Sequence, residues 1–148
     1  MDAAETLYPV FEIPSAVPDD EDKEQTFLPS PLFDYEKGDF VRDGANRIVM
    51  VDGQDAYILW VLKALKTHRG ACLSYMDVGV DHESALAETS REAVQAAFER
   101  NISEALLANP CTDRVYDFSF EWDGDALYTA FTVKPKNWAA FDIALNVV

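Results

Sequence analysis

Basic residues are scarce in this 148-residue chain: 12 Lys and Arg face 27 Asp and Glu, for a formal net charge of -15. Neutralising a phosphate backbone takes clustered cations, so nucleic-acid backbone binding is excluded. Charge of this sign keeps a protein soluble at high local concentration. It would also suit an acidic inhibitor that imitates nucleic acid and binds a basic partner in a salt-sensitive way. Cysteine is nearly absent: Cys72 and Cys111 build no disulfide framework, and no basic-then-apolar leader opens the sequence. Reduced thiols and a cytoplasmic origin are expected. The 6 glycines stand singly, and none begins the Gly-rich strand-to-helix turn that cradles phosphate. His68 and His82 are far apart in sequence and, with the isolated cysteines, make no zinc pattern. Long apolar runs are missing too. The most apolar stretch, Gln54 to Leu65, is shorter than the roughly 20 residues a bilayer crossing needs, so no membrane partner is expected.

What remains is a chain with 49% hydrophobic residues, enough for one domain with a sizeable core. Five of its prolines and the cluster Asp19, Asp20, Glu21, Asp22 fall before residue 32. Proline removes donors and disfavours the helical conformation in the residue before it, so residues 1–31 are expected to form an extended acidic arm and 32–148 the domain. Leu7, Tyr8, Val10, Phe11 and Ile13 give that arm apolar side chains to lay on its own domain or on a partner.

The apolar residues between Ala56 and Leu65 surround a helical wheel almost completely, which predicts a central helix needing cover on more than one flank. Before it, two short apolar runs flank Asp43-Gly44 and predict a hairpin. After it, residues 71–75 read as a short strand. Thr89-Ser90-Arg91-Glu92 has capping-box spacing, and Val94, Ala97, Phe98, Ile102, Ala105 and Leu106 form the single stripe of a second long helix, ended by Asn109-Pro110. Phe118, Phe120 and Trp122 alternate with polar residues, as do Leu127, Thr129, Phe131 and Val133, and then Phe141, Ile143, Leu145 and Val147. A two-residue turn at Asp123-Gly124 would pair Phe120 with Leu127 and Phe118 with Thr129. The expected fold is α+β: two principal helices packed on an antiparallel C-terminal meander, preceded by the hairpin and the arm. An open edge of that sheet could accept a strand from another chain.

Catalytic chemistry finds little support. Asp77, Asp81, His82 and Glu83 are the densest polar cluster and would be the ligands of a small metal-dependent hydrolase; alternatively Asp81 caps a short helix with Glu83 in its first turn. Cys72 near His68 suggests a nucleophile pair but has no orienting third group. Carboxylates are so abundant that no pair among them is informative.

A set of residues in order carries a resemblance. It comprises Leu7-Tyr8-Pro9 with Phe11-Glu12-Ile13-Pro14, the hairpin leading to Val51-Asp52-Gly53-Gln54-Asp55-Ala56, and Leu65-Lys66-Thr67-His68-Arg69-Gly70. Tyr75, Asp77 and Gly79 follow, then Ile102, Ala105 and Leu106 before Asn109-Pro110, then Asp113-Arg114-Val115 with Asp117-Phe118, and Phe131-Thr132-Val133. The set resembles the small baseplate wedge subunits of contractile phage tails and phage-like particles, the sheath-initiator family that includes the XkdS-like proteins. That family often has a compact Glu-Pro-Arg motif where the second helix meets the sheet. Here Pro110 is displaced from Arg114, leaving Asp113 or Glu104 as the carboxylate for that guanidinium to bridge at a subunit junction.

The resemblance implies a structural part without enzymatic activity or cofactor. Implied partners are larger wedge proteins, tail sheath subunits and tube or hub proteins, in several copies of a six-fold baseplate assembled in the host bacterial cytoplasm. The partner-binding residues expected on this basis are Leu7, Tyr8, Phe11 and Ile13 of the arm, Glu104, Asp113 and Arg114 at the junction, and Phe141, Ile143 and Leu145 along an edge strand spanning residues 139–147.

Overall fold

Short runs punctuated by turn residues can pair only briefly, and the chain begins accordingly. The computed structural model describes residues 27–147; Leu7, Tyr8, Phe11 and Ile13 lie outside them. Strand β1 (Ser30–Pro31) pairs with β4 (Met50–Val51), and β2 (Phe33–Asp34) pairs with β3 (Asp39–Phe40), all antiparallel. The hairpin expected around Asp43-Gly44 is present, held by the Arg42 to Ile48 bridge, but its loop is longer. Asp43 and Arg47 close it, and the left-handed residue is Asn46, with φ of 61°. Asparagine tolerates that conformation because its short polar side chain can bond locally.

Helix α1 (Gly53–Lys66) buries Ala56, Tyr57, Val61, Ala64 and Leu65, and leaves Ile58, Leu59, Trp60 and Leu62 half-buried. Residues 71–75 form exposed turns rather than the expected strand. Helix α2 (His82–Leu86) is one turn long. Helix α3 (Arg91–Leu107) starts at Ser90, whose Oγ accepts the Ala93 amide at 3.2 Å. The cap is thus one residue later than a Thr89–Glu92 box requires. Glu92 instead lies in the first turn, where the helix dipole favours a carboxylate. The predicted stripe is the buried one: Val94, Ala97, Phe98, Ile102 and Leu106 enter the core.

The meander is β5 (Thr112–Asp123), β6 (Ala126–Pro135) and β7 (Phe141–Asn146), in that spatial order. Its register corrects the expected one by two residues. Trp122 faces Leu127, Phe120 faces Thr129, and the loop residues are Gly124 and Asp125. The first loop position takes φ of 62°, which Gly124 supplies. A slip of two preserves the face, since two is the pleat period, so the predicted apolar residues still point inward. A bulge between Tyr116 and Ser119, with Asp117 at φ of 57°, inserts one residue into β5. It brings Val115 onto the same side as Phe118, whose ring stacks on Phe131 at 5.0 Å.

Helix α3 covers β5 and also touches α1 and α2. Arg91 pins the hairpin tip to α3: its guanidinium lies 4.7 Å over Trp122, and Nη2 donates to the Gly124 carbonyl at 3.1 Å. The other flank of α1 meets the sheet through Tyr57, whose hydroxyl bonds Thr112 Oγ1 and whose ring is surrounded by Phe27, Trp60, Trp138 and Phe141. The α+β architecture expected from the sequence is the one observed. Among the described residues, no helix is long and apolar enough to cross a membrane.

Candidate functional site

Thr67 ends α1 in an extended conformation, its hydroxyl donating to the Lys63 carbonyl at 2.6 Å. The released chain is then held by a short parallel bridge: the Arg69 amide donates to Val80 O at 3.2 Å, and the Val80 amide to Thr67 O at 3.0 Å. This close approach requires glycine at 79. Gly79 has φ of 111°, and a Cβ there would overlap the Thr67 carbonyl oxygen. Gly79→Ala is expected to destabilise the fold by about 2–3 kcal/mol, since both the backbone and its neighbour must move. The urea midpoint measures this, and an unchanged midpoint would show that the bridge is dispensable.

The bridge sets the His68 and His82 rings 4.6 Å apart, with His82 also edge-on to Phe98. His82 Nδ1 is buried without a partner among the described residues. Burial, with a smaller contribution from the charge of His68, pushes the His82 pKa below its ordinary value. The unfolded chain therefore takes up this proton before the folded one. Stability is whole above about pH 6.5 and falls as the pH drops from there toward the depressed folded value. Urea unfolding at pH 7.5 and 5.5 should show the loss, and His82→Asn should reduce the dependence.

These histidines stand at one end of a groove of about 750 Å³. One wall is Leu62 and Leu65 of α1 with Leu86 of α2; the other is Ile143 and Leu145 of β7 with Val147 just past its end. Lys66 joins the histidines, its ammonium held 5.4 Å over the Tyr35 ring. Among the described residues, no strand pairs with the far side of β7. The Val147 amide donates to Leu127 O at 2.9 Å, and the register pairs Leu145 with Thr129 and Ile143 with Phe131. Antiparallel pairs alternate between bonded and non-bonded, so Ile143 and Leu145 bond inward to β6. Asp142 and Ala144 aim their backbone N–H and C=O groups outward. The groove thus flanks a strip of backbone donors and acceptors directed away from the sheet.

The expected partner-binding residues are not brought to one place. Ile143 and Leu145 line the groove, while Phe141 packs on Tyr57. Glu104 on α3 and Asp113 and Arg114 on β5 are exposed, with β5 and β7 on opposite sides of β6. Arg114 lies 4.8 Å over the Tyr116 ring, and it forms no ion pair with Asp113 or Glu104. Sequence reasoning missed Leu62, Leu65, Lys66, His68, His82 and Leu86 as one surface. The only local signal was the excess of apolar residues around α1.

The polar cluster does not converge. Asp81 caps α2 by accepting the Ser84 amide at 3.1 Å, a bond that holds its carboxyl below the usual range. Asp77 and Glu83 are exposed, and among the described residues no three His, Cys, Asp or Glu side chains are grouped to hold a metal. The hydrolase alternative therefore lacks its ligand set. Cys72 is exposed, and the His68 ring lies against His82.

No curated protein matches the chain. A family model described as the contractile injection system sheath initiator matches residues 30–137, from β1 through β6. The helix-backed meander is the expected fold, and the match takes in most of the 148 residues. The chain belongs to the contractile injection system sheath initiator family and is a structural part of such a system.

Proposed function

We propose that this chain is a baseplate wedge subunit that binds larger wedge proteins and starts sheath assembly by accepting a strand at the outer edge of β7. The observation that carries this role is the outward-directed backbone of Asp142 and Ala144 beside an apolar groove. Main-chain hydrogen bonds there supply affinity, while pockets for alternate side chains fix the register. Ile143 and Leu145 contribute to those pockets, and Phe141 anchors the strand start on Tyr57. The acidic arm of residues 1–31, with Leu7, Tyr8, Phe11 and Ile13, wraps a neighbouring wedge protein, and Glu104, Asp113 and Arg114 offer a second contact on the β5 side. Several copies act in a six-fold baseplate of a virion tail or phage-like particle, built in the host bacterial cytoplasm.

Co-purification of the full chain with the other proteins of its tail, followed by imaging, tests the assignment. A six-fold complex with the chain at the sheath-proximal face is expected. Persistent isolation of the chain when all tail proteins are present would remove it, whereas a monomer in their absence would not, because association here depends on partners.

A further inference from the structure

The charge of the groove runs against that of the molecule. Acidic residues outnumber basic ones 27 to 12 over the whole chain. Yet among the described residues no Asp or Glu lines the groove, while Lys66, His68 and His82 do. Asp81 and Glu83 line a smaller pocket that shares both histidines, beside Arg69. Apart from Asn146 the remaining described lining is apolar, from Leu62, Leu65 and Leu86 to Ile143, Leu145 and Val147. An added strand would direct every second side chain into this space, since successive residues of a strand point to opposite faces.

On the footing of the docking role above, we infer that the strand seated beside β7 carries a carboxylate among its inward-facing apolar side chains, opposite Lys66, His68 and His82. Apolar side chains at the other inward positions fill the walls. The carboxylate meets a cation and two imidazoles at a place where the rest of this acidic surface would repel it, and the resulting preference sets both partner choice and register. A strand with a lysine at that position would meet Lys66 and be rejected.

Titration of the isotopically labelled full chain with synthetic strands tests this, read by NMR at the Ala144 and Lys66 amides. The probe is an end-capped seven-residue peptide of alternating threonine and valine, with glutamate, glutamine or lysine placed in turn at each valine. At one position the glutamate peptide should bind about fivefold more tightly than the glutamine peptide, and the lysine peptide more weakly than either. Lys66 is exposed, so Lys66→Gln keeps the fold, and with His68→Gln it should erase the preference while retaining the glutamine peptide. Equal affinities for all three side chains at every position would overturn the carboxylate inference and leave strand docking intact. Absence of binding by any of the peptides would overturn strand docking at β7, and the inference with it.

Discussion

On the proposed role of the β7 edge, Ala144→Pro is expected to impair sheath recruitment severely while leaving the chain folded. Proline lacks an amide hydrogen, and on an edge strand it is tolerated where the lost N–H faced away from the sheet. Ala144 occupies such a position, opposite Ala130 in a non-bonded pair of the β6–β7 ladder. The substitution removes a donor from the exposed margin and leaves a backbone acceptor of the incoming strand unpaired, which should weaken docking about tenfold or more. Ile143→Pro is the contrast. Its amide belongs to a bonded pair with Phe131, so proline there breaks the ladder and costs about 3 kcal/mol or more of stability. Circular dichroism and urea unfolding separate the two variants, and sheath assembly on baseplates reads the function. Normal sheath assembly with a folded Ala144→Pro chain would move the docking site away from β7.

The largest stability effect is expected at Tyr57. Its side chain is fully buried, and its ring touches Phe27, Trp60, Trp138 and Phe141, so this one residue joins α1 to the start of β7. Tyr57→Ala should cost about 3–5 kcal/mol, the range for removing a large aromatic from a packed core, against a total domain stability of about 5–15 kcal/mol. Tyr57→Phe keeps the ring and loses only the bond to Thr112 Oγ1. It should cost about 1–3 kcal/mol, because the Thr112 hydroxyl is buried and left without that partner. Urea denaturation of the pair gives both numbers. A Tyr57→Ala loss no larger than that of Tyr57→Phe would show that the aromatic cluster does not hold α1 to the sheet.

Much of this architecture was legible from local patterns. The single stripe of α3 and the alternation in β5, β6 and β7 each mark one buried face, and those faces meet in a common core. Asp81 was legible as a cap, because an Asx side chain before a short apolar run satisfies the helix's first amides. Turn detail was less legible. Asp43-Gly44 signalled a hairpin correctly, yet Asn46 took the left-handed position. Both Asp123-Gly124 and Gly124-Asp125 are acceptable two-residue turns by composition; Arg91, stacked on Trp122 and bonded to the Gly124 carbonyl, holds the register that formed.

The sequence by itself determined the fold class, the inward faces and the family, because each depends on residues close together in the chain or on their order along it. Tertiary structure alone decided where the groove lies and what charge it has. Its walls come from residues 62–86 and 143–147, which meet only after α1, α2 and β7 have packed, and no periodicity links their positions. The same holds for Arg114. A guanidinium written next to Asp113 came to rest on Tyr116, because the strand is in regular register from Arg114 to Tyr116 and brings side chains two apart to the same face.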